Sequence, residues 1–248
     1  MGYIDDATNT VYARFYDHEG TLPAFDSFQR YVRRYGIPSS VYVDKHSTYK
    51  SPKPLSLEEQ LEGRQRSQSQ FERAMRELGV EVIHAHSPAA KGRIERLFET
   101  FQDRLIKEMR LEGINSQSAA NAFLEHYLPG YNQRFRVVAA QGADLHRKIP
   151  RGLDLNSILC LKTQRRLNQD ATLAHGSKLY QIEDRVQAQM LTVEERIDGS
   201  MRISHQGRGV KYREILSRPV RVRSAAWSSV KGSRHKPAAD HPWRQSYR

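Results

Sequence analysis

The residues best placed to do chemistry in this chain are carboxylates. Asp44 closes the apolar run Ser40–Val43, and Glu95 lies in the periodic stretch that follows Ser87-Pro88. A carboxylate at a strand end and another on a nearby helix can share a divalent cation. Mg2+ takes hard oxygen ligands and keeps several waters, so two or three carboxylates hold it, and Mn2+ accepts the same donors. Two such ions activate a nucleophile and stabilise a leaving oxygen in phosphoryl transfer. The same two positions also read as an ordinary solvated strand end and helix surface. Lys91 lies one helical turn before Glu95, on the same face, where it meets an anion or simply pairs with Glu95. His84 and His86 read as a metal pair or as structural strand-end residues, and His46 as a loop residue. Cys160 stands alone, which excludes an internal disulfide and a cysteine-based zinc site; it reads as a buried small hydrophobe.

These residues need a scaffold, and the pattern of the first 135 residues describes one. Residues 1–5 and Thr10–Asp17 alternate across a turn at Asp5–Asn9 and predict an antiparallel hairpin. Ala24–Tyr35 carries Phe25, Phe28, Tyr31, Val32 and Tyr35 at helical spacing, with Arg30, Arg33 and Arg34 on a basic face. Ser40–Asp44 and Glu81–His84 predict short strands, and Gln68–Leu78 a helix closed by Gly79. Ala89–Leu111 predicts one long helix with Ile94, Leu97, Phe98, Phe101, Leu105 and Met109 inward, and Ser116–Phe135 another, broken near Pro129-Gly130. Residues 45–66 read as a loop and 136–156 as a linker. From 157 to 223 the pattern turns to short alternating strands with a hairpin signal at Asp198-Gly199, which predicts a small all-β barrel. Residues 224–248, rich in Ser, Pro, Lys and Arg, predict a basic disordered tail.

Charge follows the same division. The 248 residues hold 40 Lys+Arg and 28 Asp+Glu, a formal charge of +12. Residues 1–112 have 17 basic and 17 acidic residues, 113–217 have 15 and 10, and 218–248 have 8 and 1. The excess climbs toward the C-terminus, the mark of a polyanion-binding appendage or of a solubilising tail. No apolar run is long enough for a membrane span and no secretory leader opens the chain, so a cytoplasmic protein is expected.

Two segments resemble a known family. VYVDKHSTY (Val41–Tyr49) and SPAAKGRIERLFETFQDRLIKEMRLEGI (Ser87–Ile114) resemble the bacterial DDE insertion-sequence transposases of the retroviral-integrase superfamily, the ISNCY-like group in particular. GYIDDATNTVYARFYDHEGTLPAF, YNQRF (Tyr131–Phe135) and KPAADHPWR (Lys236–Arg244) extend the likeness over most of the chain. The resemblance implies an α/β ribonuclease-H-like integrase core over residues 1–135, lacking its first strand and with it the first catalytic aspartate. It matches Asp44 to the second catalytic aspartate and Glu95 to the catalytic glutamate, both binding Mg2+ or Mn2+. Lys91, Arg93 and Arg96 are then DNA-contacting. Fifty residues separate Asp44 from Glu95, more than in many relatives, and residues 50–66 read as the insertion. Asp5 and Asp6 belong to the hairpin turn and are poor substitutes for the missing acid. The resemblance further implies DNA cleavage and strand transfer in full-length relatives, with DNA and further copies of the chain as partners and the nucleoid as the place of action. The present chain is expected to be catalytically incomplete. A non-catalytic DNA-binding or oligomerising fragment is the alternative, and an RNA-binding protein of the translation apparatus rests on charge alone.

Overall fold

The computed structural model describes residues 1–44, 48–49, 57, 61, 67–85 and 92–217. His46, His86, Lys91, most of the loop 45–66 and the tail from 218 lie outside the described residues.

The chain opens with the expected hairpin. β1 (Gly2–Ile4) and β2 (Val11–Ala13) pair antiparallel, Tyr3 opposite Tyr12. The Asp5 carboxylate accepts the Thr8 backbone N–H at 3.0 Å, and Asn9 takes a positive φ of 57°, a conformation that Asn tolerates better than most residues. Alternation sends Tyr3 to one face, and Ile4, Val11 and Ala13 to the other. Helices cover both faces. Below Tyr3 lies α1 (Thr21–Tyr35), which buries Ala24, Phe28 and Val32 at four-residue spacing. Beside it runs α2 (Gln70–Leu78), opened by a capping box: Ser69 Oγ accepts the Glu72 N–H at 3.1 Å and Glu72 accepts the Ser69 N–H at 2.8 Å. Gly79 closes α2 in the left-handed conformation, φ 67°.

The other face is covered by α3 (Gly92–Thr100), a π-helical turn (Phe101–Leu105), α4 (Ile106–Leu111) and α5 (Gln117–Phe135). The long helix expected over 89–111 is thus interrupted. Buried Leu97, Phe101 and Leu105 recur every four residues, whereas an α-helix repeats every 3.6, so the wider turn keeps them on one line. The break expected at Pro129-Gly130 is absent. Pro129 removes one helix bond, but Pro129 and Glu125, whose carbonyl loses its donor, are both exposed.

β3 (Ser40–Val43) and β4 (Glu81–His84) pair in parallel, Val43 opposite His84. Among the described residues they do not join the hairpin, and the front holds two separate two-stranded sheets. Both rest on the same buried cluster of α1 and α2, with Met1, Tyr3, Val41, Val43 and Val82 packed against it.

After α5 the chain crosses back over this layer. Ile37 and Arg147 exchange two backbone hydrogen bonds of 2.8 Å, and Arg147 Nη2 donates to the Leu78 and Gly79 carbonyls at 2.8 and 2.9 Å. α6 (Leu155–Ile158) then leads to the strands β5 (Leu161–Arg166), β6 (Thr172–His175), β7 (Lys178–Ile182), β8 (Met190–Glu195), β9 (Met201–His205), β10 (Arg208–Gly209) and β11 (Tyr212–Ile215). The expected barrel is not formed. Among the described residues these strands make a four-stranded sheet, β10-β9-β8-β5, and a three-stranded one, β11-β7-β6, with no ladder joining them. The sheets close a common core of Leu173, Ile182, Leu191, Val193 and Ile203 by packing instead. The molecule is therefore mixed α/β, with sheets and no closed barrel among the described residues.

Candidate functional site

Asp44 directly follows β3, half-buried, one residue past the point where β3 and β4 are in register at Val43 and His84. The next β4-side contact is Ala85 N–H to Val43 O at 2.9 Å, so the strand ends here are tightly bound. Tyr49 lies close enough to feel the carboxylate: burial first, and then the Asp44 charge, push its phenol up to about 12. His84 makes a side-chain bond to α2. Its Nε2 meets Glu72 Oε1 at 2.8 Å, tying β4 to the buried capping carboxylate of α2.

Glu95 sits exposed in the first turn of α3. That helix is anchored beside it by Leu97, which is buried, and by Phe98, whose ring would lie 3.1 Å from a Cβ placed on Gly2. Two of the flanking basic residues are committed within the fold. Arg93 donates to the Asp6 carbonyl at 2.6 Å and pairs with the Asp6 carboxylate, and Arg96 Nε donates to the Gly92 carbonyl at 3.0 Å. The Arg93–Asp6 pair also puts the hairpin turn beside the start of α3, two residues from Glu95. Among the described residues no three His, Cys, Asp or Glu side chains come together to hold a metal ion. The described residues therefore do not by themselves fit a two-ion Mg2+ or Mn2+ site.

A second polar assembly was only half legible in the sequence. The outer edge of β2 is closed by two asparagines of α5. Val11 N–H donates to Asn132 Oδ1 and Asn132 Nδ2 to the Val11 carbonyl, both at 2.8 Å. Phe15 N–H donates to Asn121 Oδ1 at 2.9 Å and Asn121 Nδ2 to the Phe15 carbonyl at 3.1 Å. Each amide thus does what a neighbouring strand would do. Beside Asn121 opens a cavity of about 250 Å³ lined also by Ala13, Arg14, Arg30, Arg34 and Glu125. Asp26 anchors its arginines: burial raises its pKa, but hydrogen bonds from Arg30 and Tyr16 and the charge of Arg14 outweigh this and hold it below the ordinary value. The basic face of α1 announced Arg30 and Arg34; no sequence signal announced the asparagines.

The same device recurs at the junction with the C-terminal sheets. Gln70 of α2 accepts the Lys162 N–H at 3.0 Å and donates to its carbonyl at 2.8 Å, holding the outer edge of β5. Glu77 bridges Arg73 and Lys162 at 2.8 Å each, and Arg73 donates to the Ile158 carbonyl at 3.0 Å and to that of Cys160. Cys160 is buried, which pushes its thiol up to about 11.

The front thus sets a hairpin between helices, an acid at a strand end and an acid on the helix after the next strand. No family model matches the chain. The chain is 33% identical over 231 residues to the putative transposase y4bF of Sinorhizobium fredii (strain NBRC 101917 / NGR234), a match covering 90% of this chain and 49% of that protein. It is 32% identical over 135 residues to the transposase for insertion sequence IS1202 of Streptococcus pneumoniae, covering 53% of this chain and 28% of that one. The chain is thus related to the insertion-sequence transposases. It spans about half the length of the first of these relatives and less of the second.

Proposed function

We propose that the chain takes part in DNA transposition, with residues 1–135 as a ribonuclease-H-like integrase core, 136–156 as linker, 157–223 as a DNA-gripping β unit and 224–248 as a basic tail. The observation that carries the reading is the relation to two transposases, which covers nine-tenths of the chain in the first case. It is supported by the positions of Asp44 at the end of β3 and Glu95 on the helix that follows β4. In this reading those two carboxylates are the catalytic and metal-binding residues, and Lys91, Arg93 and Arg96 lie along the DNA. A bound Mg2+ or Mn2+ would supply a polarised phosphoryl oxygen and an activated hydroxyl. The chain's own contribution is to orient the two carboxylates and to hold the DNA.

In the same reading this chain alone does not cut DNA. It then acts as a DNA-binding and oligomerising component, in the cytoplasm and on the nucleoid, joining further copies where two transposon ends meet. No helix among the described residues is long and apolar enough to cross a membrane. The test is a cleavage and strand-transfer assay with end-labelled DNA carrying insertion-sequence ends, in Mg2+ and in Mn2+. Binding without cleavage is expected. Cleavage that disappears in Asp44→Asn or Glu95→Gln would show that the chain holds a complete site.

A further inference from the structure

We infer that the cavity where β2, α1 and α5 meet binds a phosphate group, one diester of a nucleic-acid backbone, through Arg14, Arg30 and Arg34. The inference deepens the DNA-binding part of the proposed function and rests on it. The first observation is how the arginines are held. Arg14 and Arg30 both address Asp26 Oδ2 through Nε, at 3.8 and 2.8 Å, and Tyr16 donates to the same oxygen at 2.6 Å. The carboxylate thus takes one nitrogen of each guanidinium. Among the described residues the Nη groups of Arg14 and Arg30 make no hydrogen bond. Arg34 has no ion pair among them; its guanidinium lies over the Tyr35 ring, 5.4 Å from the centroid. Three guanidinium groups, two of them steadied by one carboxylate, therefore line a single void with donors to spare. The end of a guanidinium presents paired N–H donors at the spacing of phosphate oxygens.

The second observation is the rest of the lining. Tyr12 and Leu128 are buried and give the cavity an apolar wall for the carbon side of an ester. The Asn121 amide is already spent, both of its ends on Phe15. Glu125 alone among the lining residues is acidic; it is exposed and makes no ion pair among the described residues. Set against Asp26 and Glu125, the three arginines leave one positive charge in excess. A phosphodiester carries a single negative charge and neutralises it, whereas a phosphate monoester carries about −1.5 to −2 at pH 7 and overshoots. Arg30 and Arg34 are exposed, so a phosphate within a long strand reaches their guanidinium groups without the strand being enclosed. The site adds one phosphate contact to those of the basic C-terminal part.

The test measures binding of a fluorescently labelled DNA duplex to the full 248-residue chain over a range of salt concentrations. Arg34→Gln, which has no ion pair to lose, should keep the urea midpoint of the parent and weaken duplex binding about tenfold. It should also cut the slope of log K against log salt by about 0.9, the share of one phosphate. Glu125→Gln removes the opposing charge and should tighten binding about threefold. Arg110→Gln takes away the same charge as Arg34→Gln at an exposed position off the cavity, and should leave affinity and slope nearly unchanged. The duplex should also move the side-chain Nε–H signals of Arg14 and Arg30 in nuclear magnetic resonance spectra. An Arg34→Gln effect no larger than that of Arg110→Gln, or weaker binding in Glu125→Gln, would overturn the proposal. So would Arg14 and Arg30 signals that stay still with DNA and move with millimolar inorganic phosphate, which would assign the cavity to free phosphate. A chain that binds no DNA fails the proposed function and this inference together; one that binds DNA with Arg34→Gln unaffected fails this inference alone.

Discussion

Replacing Asn132 by Ala tests whether a side-chain amide truly stands in for a strand. Val11 is 1% exposed, and both of its outward backbone groups are satisfied by Asn132 alone, at 2.8 Å each. Removing the amide leaves a buried N–H and a buried C=O. Each unsatisfied group costs about 1–3 kcal/mol, and some relief comes if water enters the vacated space, so the net loss should be about 2–4 kcal/mol. For a chain of this size that lowers Tm by about 4 °C or more. Asn121→Ala should cost less, because Phe15 is only partly buried. Asn132→Asp should fall between, since a carboxylate still accepts the Val11 N–H but cannot donate to its carbonyl. Asn115→Ala, an exposed position, is the control and should stay within about 0.5 kcal/mol. The assay is urea unfolding paired with amide exchange at Val11 and Phe15. If Asn132→Ala unfolds within about 0.5 kcal/mol of the parent while the Val11 amide stays protected, the clamp argument is wrong.

The junction at Glu77 gives a pH-dependent test. Burial raises its pKa, but the bonds to Lys162 and Arg73 outweigh this and set it below 4.5; its stabilisation is therefore full above about pH 4.5 and lost as pH falls through the lowered folded value. The urea midpoint of the parent should drop more steeply through that window than that of Glu77→Gln, by at most about 1 kcal/mol for a partly exposed pair. Gly36 has φ 98°, and a Cβ there would sit 2.8 Å from the Arg147 carbonyl; Gly36→Ala should lose about 1–3 kcal/mol and expose the Ile37 amide to exchange. Residues 218–248 carry eight basic and one acidic residue; if about four of the basic ones meet phosphates, ending the chain at 217 should cut the slope of log K against log salt by about 3.6. An unchanged slope would place DNA contact elsewhere.

Local pattern was legible wherever one face of an element is buried. The hairpin, α1, α2, β3 and β4 follow from alternation or from four-residue spacing, because burying Tyr3 or Phe28 requires a fixed period. What alternation cannot tell is which edges meet. The strands β5–β11 show period two in Leu191 and Val193, yet closure depends on ladders between edge strands, and among the described residues the two sheets are joined by their shared core and by side-chain bonds such as His175 to Glu195 at 2.9 Å. Nor does spacing reveal a polar residue buried for its backbone-like amide. Asn121 and Asn132 sit eleven apart on a helix whose apolar face they interrupt, and only the position of β2 explains them. The interruption at Phe101–Leu105 is of the same kind: the inward residues were readable, the turn that aligns them was not. Asp44 and Glu95 were singled out by local wording; the structure places Asp44 directly after β3 and Glu95 on α3.

The charge pattern and the pairing of Arg93 lead to one view of how the work is divided. In the first 112 residues basic and acidic side chains balance, and the arginines placed nearest Glu95 are already engaged, Arg93 with Asp6 and Arg96 with its own helix. For Arg93 to meet DNA it must leave the hairpin turn, an exposed pair that costs at most about 1 kcal/mol to break. That turn directly follows β1. The C-terminal part carries the excess charge, so on the proposed reading DNA affinity should be set there, and the front half adds the Arg93 contact only when Arg93 gives up Asp6.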